Sequence, residues 1–80
     1  MLPSINPEID NIRYLLENYY NNNLSDATIV LAIDDYLSKE GNTINDTNEG
    51  KLSMIILATL TGRVNIVKYL IDKGALLNDA

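Results

Sequence analysis

Apolar residues near the start of the chain recur at helical spacing. They follow one another at intervals of three or four residues, which places them on one face of an amphipathic helix. These residues are Ile9, Ile12, Leu16 and Tyr19. Asn6 is expected to cap the helix, with Pro7 in its first turn. The run Asn21-Asn22-Asn23 is predicted to end it, because asparagine favours turns over helix interiors.

A second helix is predicted to begin after Ser25, whose hydroxyl suits a helix cap. The residues at positions 29–33 are all apolar, and such a run also fits a buried strand. Tyr36 and Leu37 follow one turn later and Gly41 marks a stop, which together favour a helix buried between neighbours.

Two shorter helices are predicted in the second half of the chain, after a polar loop at residues 42–51. The third helix runs from Ser53 to Thr61 and is broken by Gly62. The fourth runs from Val64 to about Lys73, and Gly74 is its predicted stop. The 80-residue chain is therefore predicted to be a single all-α domain.

An internal repeat with a period of 33 residues runs through these helices. The repeated pairs are Tyr36 and Tyr69, Gly41 and Gly74, and Asn45 and Asn78. A helix, a glycine and a polar turn at this period are typical of ankyrin repeats.

Residues 48–80 resemble one ankyrin repeat. The segment Ser53–Gly62 lies where ankyrin repeats usually read T-P-L-H-x-A-A-x-x-G, and Asn65–Ala75 is similar to their I-V-x-x-L-L-x-x-G-A pattern. Three positions depart from the family, one of them Leu76, where aspartate is usual. Met54 replaces the usual proline and Ile56 the usual histidine, so the hydrogen bonding of that histidine is missing.

The first half of the chain departs further from the family pattern. Residues 33–47 match only the second part of a repeat, and residues 1–32 hardly match, so they are interpreted as a divergent capping pair. The resemblance implies one all-α domain of two helix-turn-helix pairs, stacked as a minimal ankyrin-like solenoid. Residues 1–47 would form the divergent cap and partial repeat, and residues 48–80 the ankyrin-like repeat.

Charge is unevenly distributed along this acidic chain, whose formal net charge is −5. Residues 1–50 carry nine acidic side chains against two basic ones, whereas residues 51–80 carry two acidic against four basic. An acidic chain repels phosphate groups, which argues against nucleic acid or an anionic membrane as a partner. The asymmetry favours a basic partner or head-to-tail self-contact, although a solvated surface is the simpler interpretation.

The chain is predicted to be a soluble, cytoplasmic protein. Its longest apolar runs, such as Met54–Ala58, are far too short for a bilayer span, and its first residues lack the features of a signal peptide. The absence of cysteine fits a reducing compartment. Richness in Asn, Ile, Lys and Tyr suits an AT-rich genome, as in many intracellular bacteria and large DNA viruses. Ankyrin proteins there often act on host proteins, and an effector of this kind would be located in the host cytosol.

The residue inventory argues against catalysis. The chain has no histidine and no cysteine, which removes the usual general base, thiol nucleophile and soft-metal ligands. Asp34 and Asp35 are adjacent carboxylates, but neighbours on a helix point about 100° apart and do not converge. We therefore predict no enzymatic activity, no cofactor, no metal ion and no small-molecule substrate.

The resemblance implies a protein-binding role, through the loop before the third helix and the exposed edge of that helix. The implied contact residues are Asn48, Glu49, Lys51, Leu52, Leu60 and Thr61. Leu52 and Leu60 would form an apolar contact with Glu49 and Lys51 at its rim. The five tyrosines are alternative anchors, but their positions on the apolar stripes predict core packing for all except Tyr20.

A further apolar set, Ile71, Leu76 and Leu77, would suit the flank that one ankyrin repeat presents to the next. A second copy of the chain, a different partner or further repeats could cover it, or packing among the four helices could already bury it. Two other functions stay open. The chain could be a homo-oligomerisation module of a larger protein, or a small acidic inhibitor of a basic partner.

Overall fold

Four α-helices account for the regular structure in residues 3–17 and 25–76, the part of the chain that the computed structural model describes. They are α1 (Ile9–Glu17), α2 (Asp26–Ser38), α3 (Met54–Leu60) and α4 (Val64–Asp72). Within these residues, extended pairing is limited to isolated bridges, from Ile5 to Thr47 and from Thr47 to Ser53. The all-α prediction is confirmed. No described helix has the length and apolar character needed to cross a bilayer.

Local hydrogen bonds explain where the helices begin. Ser25 accepts a bond from the Thr28 backbone N–H at 3.3 Å, and Ser53 caps α3 through the N–H of Ile56 at 3.4 Å. The predicted cap at Ser25 is confirmed. Before α1, the Asn6 side chain accepts from the Glu8 N–H at 2.9 Å. The asparagine run predicted to end this helix lies outside the described residues.

The predicted stops hold for the last two helices but not for α2. Gly62 and Gly74 follow α3 and α4 with φ angles of 75° and 95°, which glycine adopts without a steric cost. Helix α2 ends earlier than predicted, at Ser38, because Lys39 already has extended backbone angles. Gly41 lies beyond it, in the turn that follows.

The helices form two hairpins that lie side by side. Hairpin 1 pairs α1 with α2, and hairpin 2 pairs α3 with α4. Between the hairpins, α1 packs against α3 and α2 packs against α4. The core that they enclose is almost entirely aliphatic. Its fully buried large apolar members are Ile9, Leu16, Ile29, Ile33, Met54, Ile55, Ile66 and Leu70.

The tyrosines divide between core and surface. Tyr36 is buried and Tyr69 is half-buried, but Tyr14 is 65% exposed, so its predicted core position is wrong. On a helix, Tyr14 lies roughly 140° away from Ile9, well off the buried stripe of α1. Tyr19 and Tyr20 lie outside the described residues.

One buried carboxylate, Asp46, joins three segments of the chain. It accepts hydrogen bonds from the Ser4 N–H at 3.0 Å, from the Thr43 N–H at 2.9 Å and hydroxyl at 2.6 Å, and from the Tyr36 hydroxyl at 2.6 Å. Burial raises the pKa of Asp46, but the hydrogen bonds from Thr43, Tyr36 and Ser4 outweigh it, so the pKa lies below its ordinary value. The carboxylate therefore stays ionised inside the protein.

The segment before α1 lies along the chain that follows Asp46. Asn6 donates its N–H to the Thr47 carbonyl at 2.7 Å, and Thr47 donates its own N–H to the Ser4 carbonyl at 3.1 Å. Burial and the hydrogen bond to Asp46 also raise the pKa of Tyr36, so its hydroxyl remains a donor. These contacts hold the N-terminal segment and the loop after α2 as one unit.

Polar contacts at the helix ends join the two hairpins. Arg63 pairs with Asp26 at 3.2 Å and donates to the Leu16 carbonyl at 3.4 Å, which ties the turn before α4 to both helices of hairpin 1. Asn65 donates to the same aspartate at 3.0 Å. The Leu76 N–H donates to the Asn45 side chain at 3.0 Å at the opposite end of α4. The relative position of the hairpins is therefore set at both ends of α4.

Candidate functional site

The predicted binding loop is a tight turn between Thr47 and Ser53. Asn48 donates its N–H to the Leu52 carbonyl at 3.0 Å, and Lys51 donates to the Asn48 carbonyl at 2.9 Å. This leaves Glu49, Gly50 and Lys51 at an exposed tip. Lys51 has a φ of 64°, a left-handed conformation that costs about 1–2 kcal/mol in a residue with a side chain. The hydrogen bonds of Asn48 therefore fix the conformation of the exposed tip.

Asn48 forms that base and is buried, with only 4% of its surface exposed. Its Oδ1 accepts from the Leu52 N–H at 3.0 Å, and its Nδ2 donates to Asp10 of α1 at 3.0 Å. The side chain therefore fixes the loop to hairpin 1 and does not lie on a surface that a partner would touch. Asn48 positions the candidate site without forming its surface.

The two predicted contact leucines differ in their environment. Leu60 is 70% exposed at the end of α3, whereas Leu52 is half-buried and packs against the core. Leu60 is the last residue of the seven-residue helix α3, which spans about 10 Å at 1.5 Å per residue, so the two leucines lie near opposite ends of this helix. Ile56 lies between them and is half-buried. The four-residue spacing of positions 52, 56 and 60 places Ile56 on the same side of the helix as the two leucines. Sequence reasoning missed this residue.

Thr61 closes the end of α3 and presents little chemistry of its own. Its hydroxyl donates to the Leu57 carbonyl at 2.9 Å and to the Ala58 carbonyl at 3.2 Å. Thr61 also lines an open hollow of about 340 Å³ at the α3–α4 turn, which Asp26 and Arg63 border from the other side. Since these two residues pair with each other, the hollow has no net charge from them.

A second polar contact lies on the outer surface between α2 and α4. The Tyr69 hydroxyl donates to Asp34, and this bond, with partial burial, raises the pKa of Tyr69 to about 12. Lys73 lies over the same ring, with its Nζ 5.4 Å from the ring centre. The tyrosine is therefore neutral at physiological pH and acts as a donor between the hairpins.

The predicted flank residues lie at the far end of α4. Ile71 is 44% exposed, and Leu76 is also exposed beyond the helix. Leu77, the third member, lies outside the described residues. Within residues 3–17 and 25–76, no three acidic side chains lie close enough together to hold a metal ion.

The exposed members of the candidate site are thus Glu49 and Lys51 at the loop tip and Leu60 at the far end of α3. Comparison of the chain with protein-family models, with curated proteins and with solved structures gave no match.

Proposed function

We propose that this chain is a protein-interaction module built from two stacked helical hairpins of ankyrin type. The pairing of α1 with α3 and of α2 with α4 supports this proposal, because ankyrin repeats stack equivalent helices side by side. The 33-residue repeat supports it as well, since it relates Tyr36 of α2 to Tyr69 of α4.

The exposure of Leu60, on the edge of α3 where the ankyrin resemblance implies binding, carries the proposal. It is a large apolar side chain at 70% exposure, at the end of a helix whose other apolar residues are buried or half-buried. Burying a leucine in an interface contributes about 1.5–3 kcal/mol. Glu49 and Lys51, at the loop tip, would provide charged contacts at the rim of such an interface and select among partners by charge.

A photo-crosslinking residue at position 60 tests the proposal directly. We expect a purified chain carrying it to form a discrete crosslinked product with one protein from a cell extract. A matched chain with the same group in place of Leu31, which is equally exposed on α2, should not form that product. Products that are the same from both positions, or none from position 60, would contradict the proposed surface.

The protein identified in this way allows a quantitative second step. Leu60→Asp should weaken its binding by about tenfold or more, because each 1.4 kcal/mol corresponds to a factor of ten in Kd. Helix content should be unchanged, since Leu60 makes little contact with the core. Leu52→Asp is unsuitable here, because Leu52 packs against the core and its replacement would also affect folding.

A further inference from the structure

The contact between the two hairpins leaves one face of each hairpin without a helix against it in the described part of the chain. On hairpin 2 this face is a stripe along α4, which we term the open flank; it consists of Val64, Val67 and Ile71. On hairpin 1 it is a groove of about 120 Å³ between α1 and α2, which we term the α1–α2 groove. Its apolar wall and charged rim include Ile12, Leu15, Ala32, Glu8, Asp35 and Lys39.

Helix geometry places the open flank away from hairpin 1. Successive residues of a helix are rotated by about 100°, so positions 64, 67 and 71 fall on one side. Asn65 and Tyr69 fall on the other side, and both bond to residues of α2. Val64 is 61% exposed and Ile71 is also exposed, while Val67 is half-buried. The open flank is therefore an accessible aliphatic surface.

The 33-residue repeat relates the α1–α2 groove to the inner side of α4. Ala32 and Tyr36 line the groove, and the positions 33 residues later are Asn65 and Tyr69, which contact α2. On hairpin 1, the groove therefore lies on the side that is equivalent to the contact side of hairpin 2.

The open flank is related in the same way to the outer side of α2. Val67 follows Asp34 by 33 residues, and Asp34 accepts the hydrogen bond from Tyr69. Each unpaired face is therefore the repeat equivalent of a face that is paired inside the chain. A second copy of the chain carries a groove that matches the open flank and an open flank that matches the groove.

We propose that the open flank of one copy packs into the α1–α2 groove of a second copy, which repeats the packing of α4 on α2 between molecules. Charge favours this direction. Exposed Lys68 lies next to Val64 and Ile71 on α4. The groove rim carries Glu8 and Asp35 against Lys39, which pairs with both, so these three side chains leave a net charge of −1. On the scale of the whole chain, the half that contains the groove is strongly acidic and the half that contains the open flank is basic. This surface is distinct from that of the proposed function.

The proposed contact joins two different faces, so it is heterologous and does not close at a dimer. Sedimentation equilibrium of the 80-residue chain, from micromolar to millimolar concentration at low salt, should show a mass that grows past that of a dimer. Added salt should shift this growth to higher concentration, because charge contributes to the contact. A mass that remains that of a monomer throughout would overturn the proposal.

Two variants separate the faces. In the flank variant, Val64→Asp with Ile71→Asp, the apolar stripe becomes acidic and repels the groove. Asn11 also lines the groove. In the groove variant, Asn11→Arg with Asp35→Arg, bulky cations occupy the rim and repel Lys68. All four positions are exposed, so both variants should keep the helix content of the parent chain. Each variant alone should be monomeric, and Leu31→Asp, at an exposed position outside both faces, should associate like the parent.

A mixture of the two variants is the decisive sample. The flank variant still has an intact groove, and the groove variant still has an intact open flank, so together they should form a one-to-one dimer and nothing larger. Formation of that dimer also shows that both variants are folded. Absence of a dimer in the mixture, or self-association of the groove variant alone through a symmetric contact, would overturn the head-to-tail arrangement.

Discussion

The Tyr36 hydroxyl donates a 2.6 Å hydrogen bond to Oδ2 of Asp46 inside the protein core. Because this bond satisfies a buried charge, its removal in Tyr36→Phe should lower the free energy of unfolding by about 1.5–3 kcal/mol. Urea denaturation followed by circular dichroism measures the change. Tyr14→Phe is the matched control, since Tyr14 is exposed and the change should stay within about 0.5 kcal/mol. Equal effects of the two substitutions would contradict the role of the Tyr36–Asp46 bond.

Acid should destabilise the protein through Asp46. The folded-state pKa of Asp46 is lowered, so its contribution to stability is present above the unfolded value of about 3.9 and is lost as the pH falls through the lower folded value. The free energy of unfolding, measured by urea titration at several pH values, should decrease from about pH 5 downwards. In Asp46→Asn, which is less stable at neutral pH, the decrease should be shallower. If the free energy of unfolding of Asp46→Asn fell as steeply with acid as that of the parent chain, Asp46 would not be the main source of the decrease.

Asn48→Ala should destabilise the fold, although Asn48 lies in a loop that sequence reasoning assigned to binding. The substitution removes the acceptor of the Leu52 N–H and the donor to Asp10. A loss of about 1–3 kcal/mol is expected from partners left without a hydrogen bond. Glu49→Ala, at the exposed tip, is the control and should have little effect on the urea midpoint.

Gly74→Ala tests the backbone requirement at the end of α4. The φ of Gly74 is 95°, and no atom lies within 4 Å of the site where a β-carbon would be placed. The cost should therefore be conformational alone, at about 1–2 kcal/mol, and should appear as a lower Tm. Asp72→Ala, at an exposed position two residues earlier, should leave the Tm almost unchanged.

The helices were predictable from the sequence because their signals are local. Ser25 and Ser53 cap helices through residues three positions away, and the apolar spacing of α1 and α4 follows from the helical period. The glycines after α3 and α4 were also recognisable, since few other residues adopt their backbone angles. The end of α2 was not, because no breaker residue stands at position 39 and the change of backbone angle there has no local sequence signal.

The buried polar groups could not be predicted, because their partners are distant in the sequence. Asp46 is one acidic residue in a polar loop, and its donors come from positions 4, 36 and 43. Asn48 resembles any exposed turn residue until Asp10 is placed beside it. Of the predicted site residues, Leu60, Glu49 and Lys51 are at the surface, whereas Asn48 and Thr61 form hydrogen bonds within the fold. The binding role of the exposed residues stays a prediction.

The contact between Ser4 and Asp46 joins residues 42 positions apart, and this has a consequence for the order of folding. Helical hairpins form from near neighbours and so can assemble early, whereas a contact at this separation must wait for the intervening chain. We expect early collapsed forms to keep Asp46 hydrated, with the N-terminal segment still undocked. The segment before α1 then docks after the helices of hairpin 1 have formed, and its docking removes the remaining water from the carboxylate.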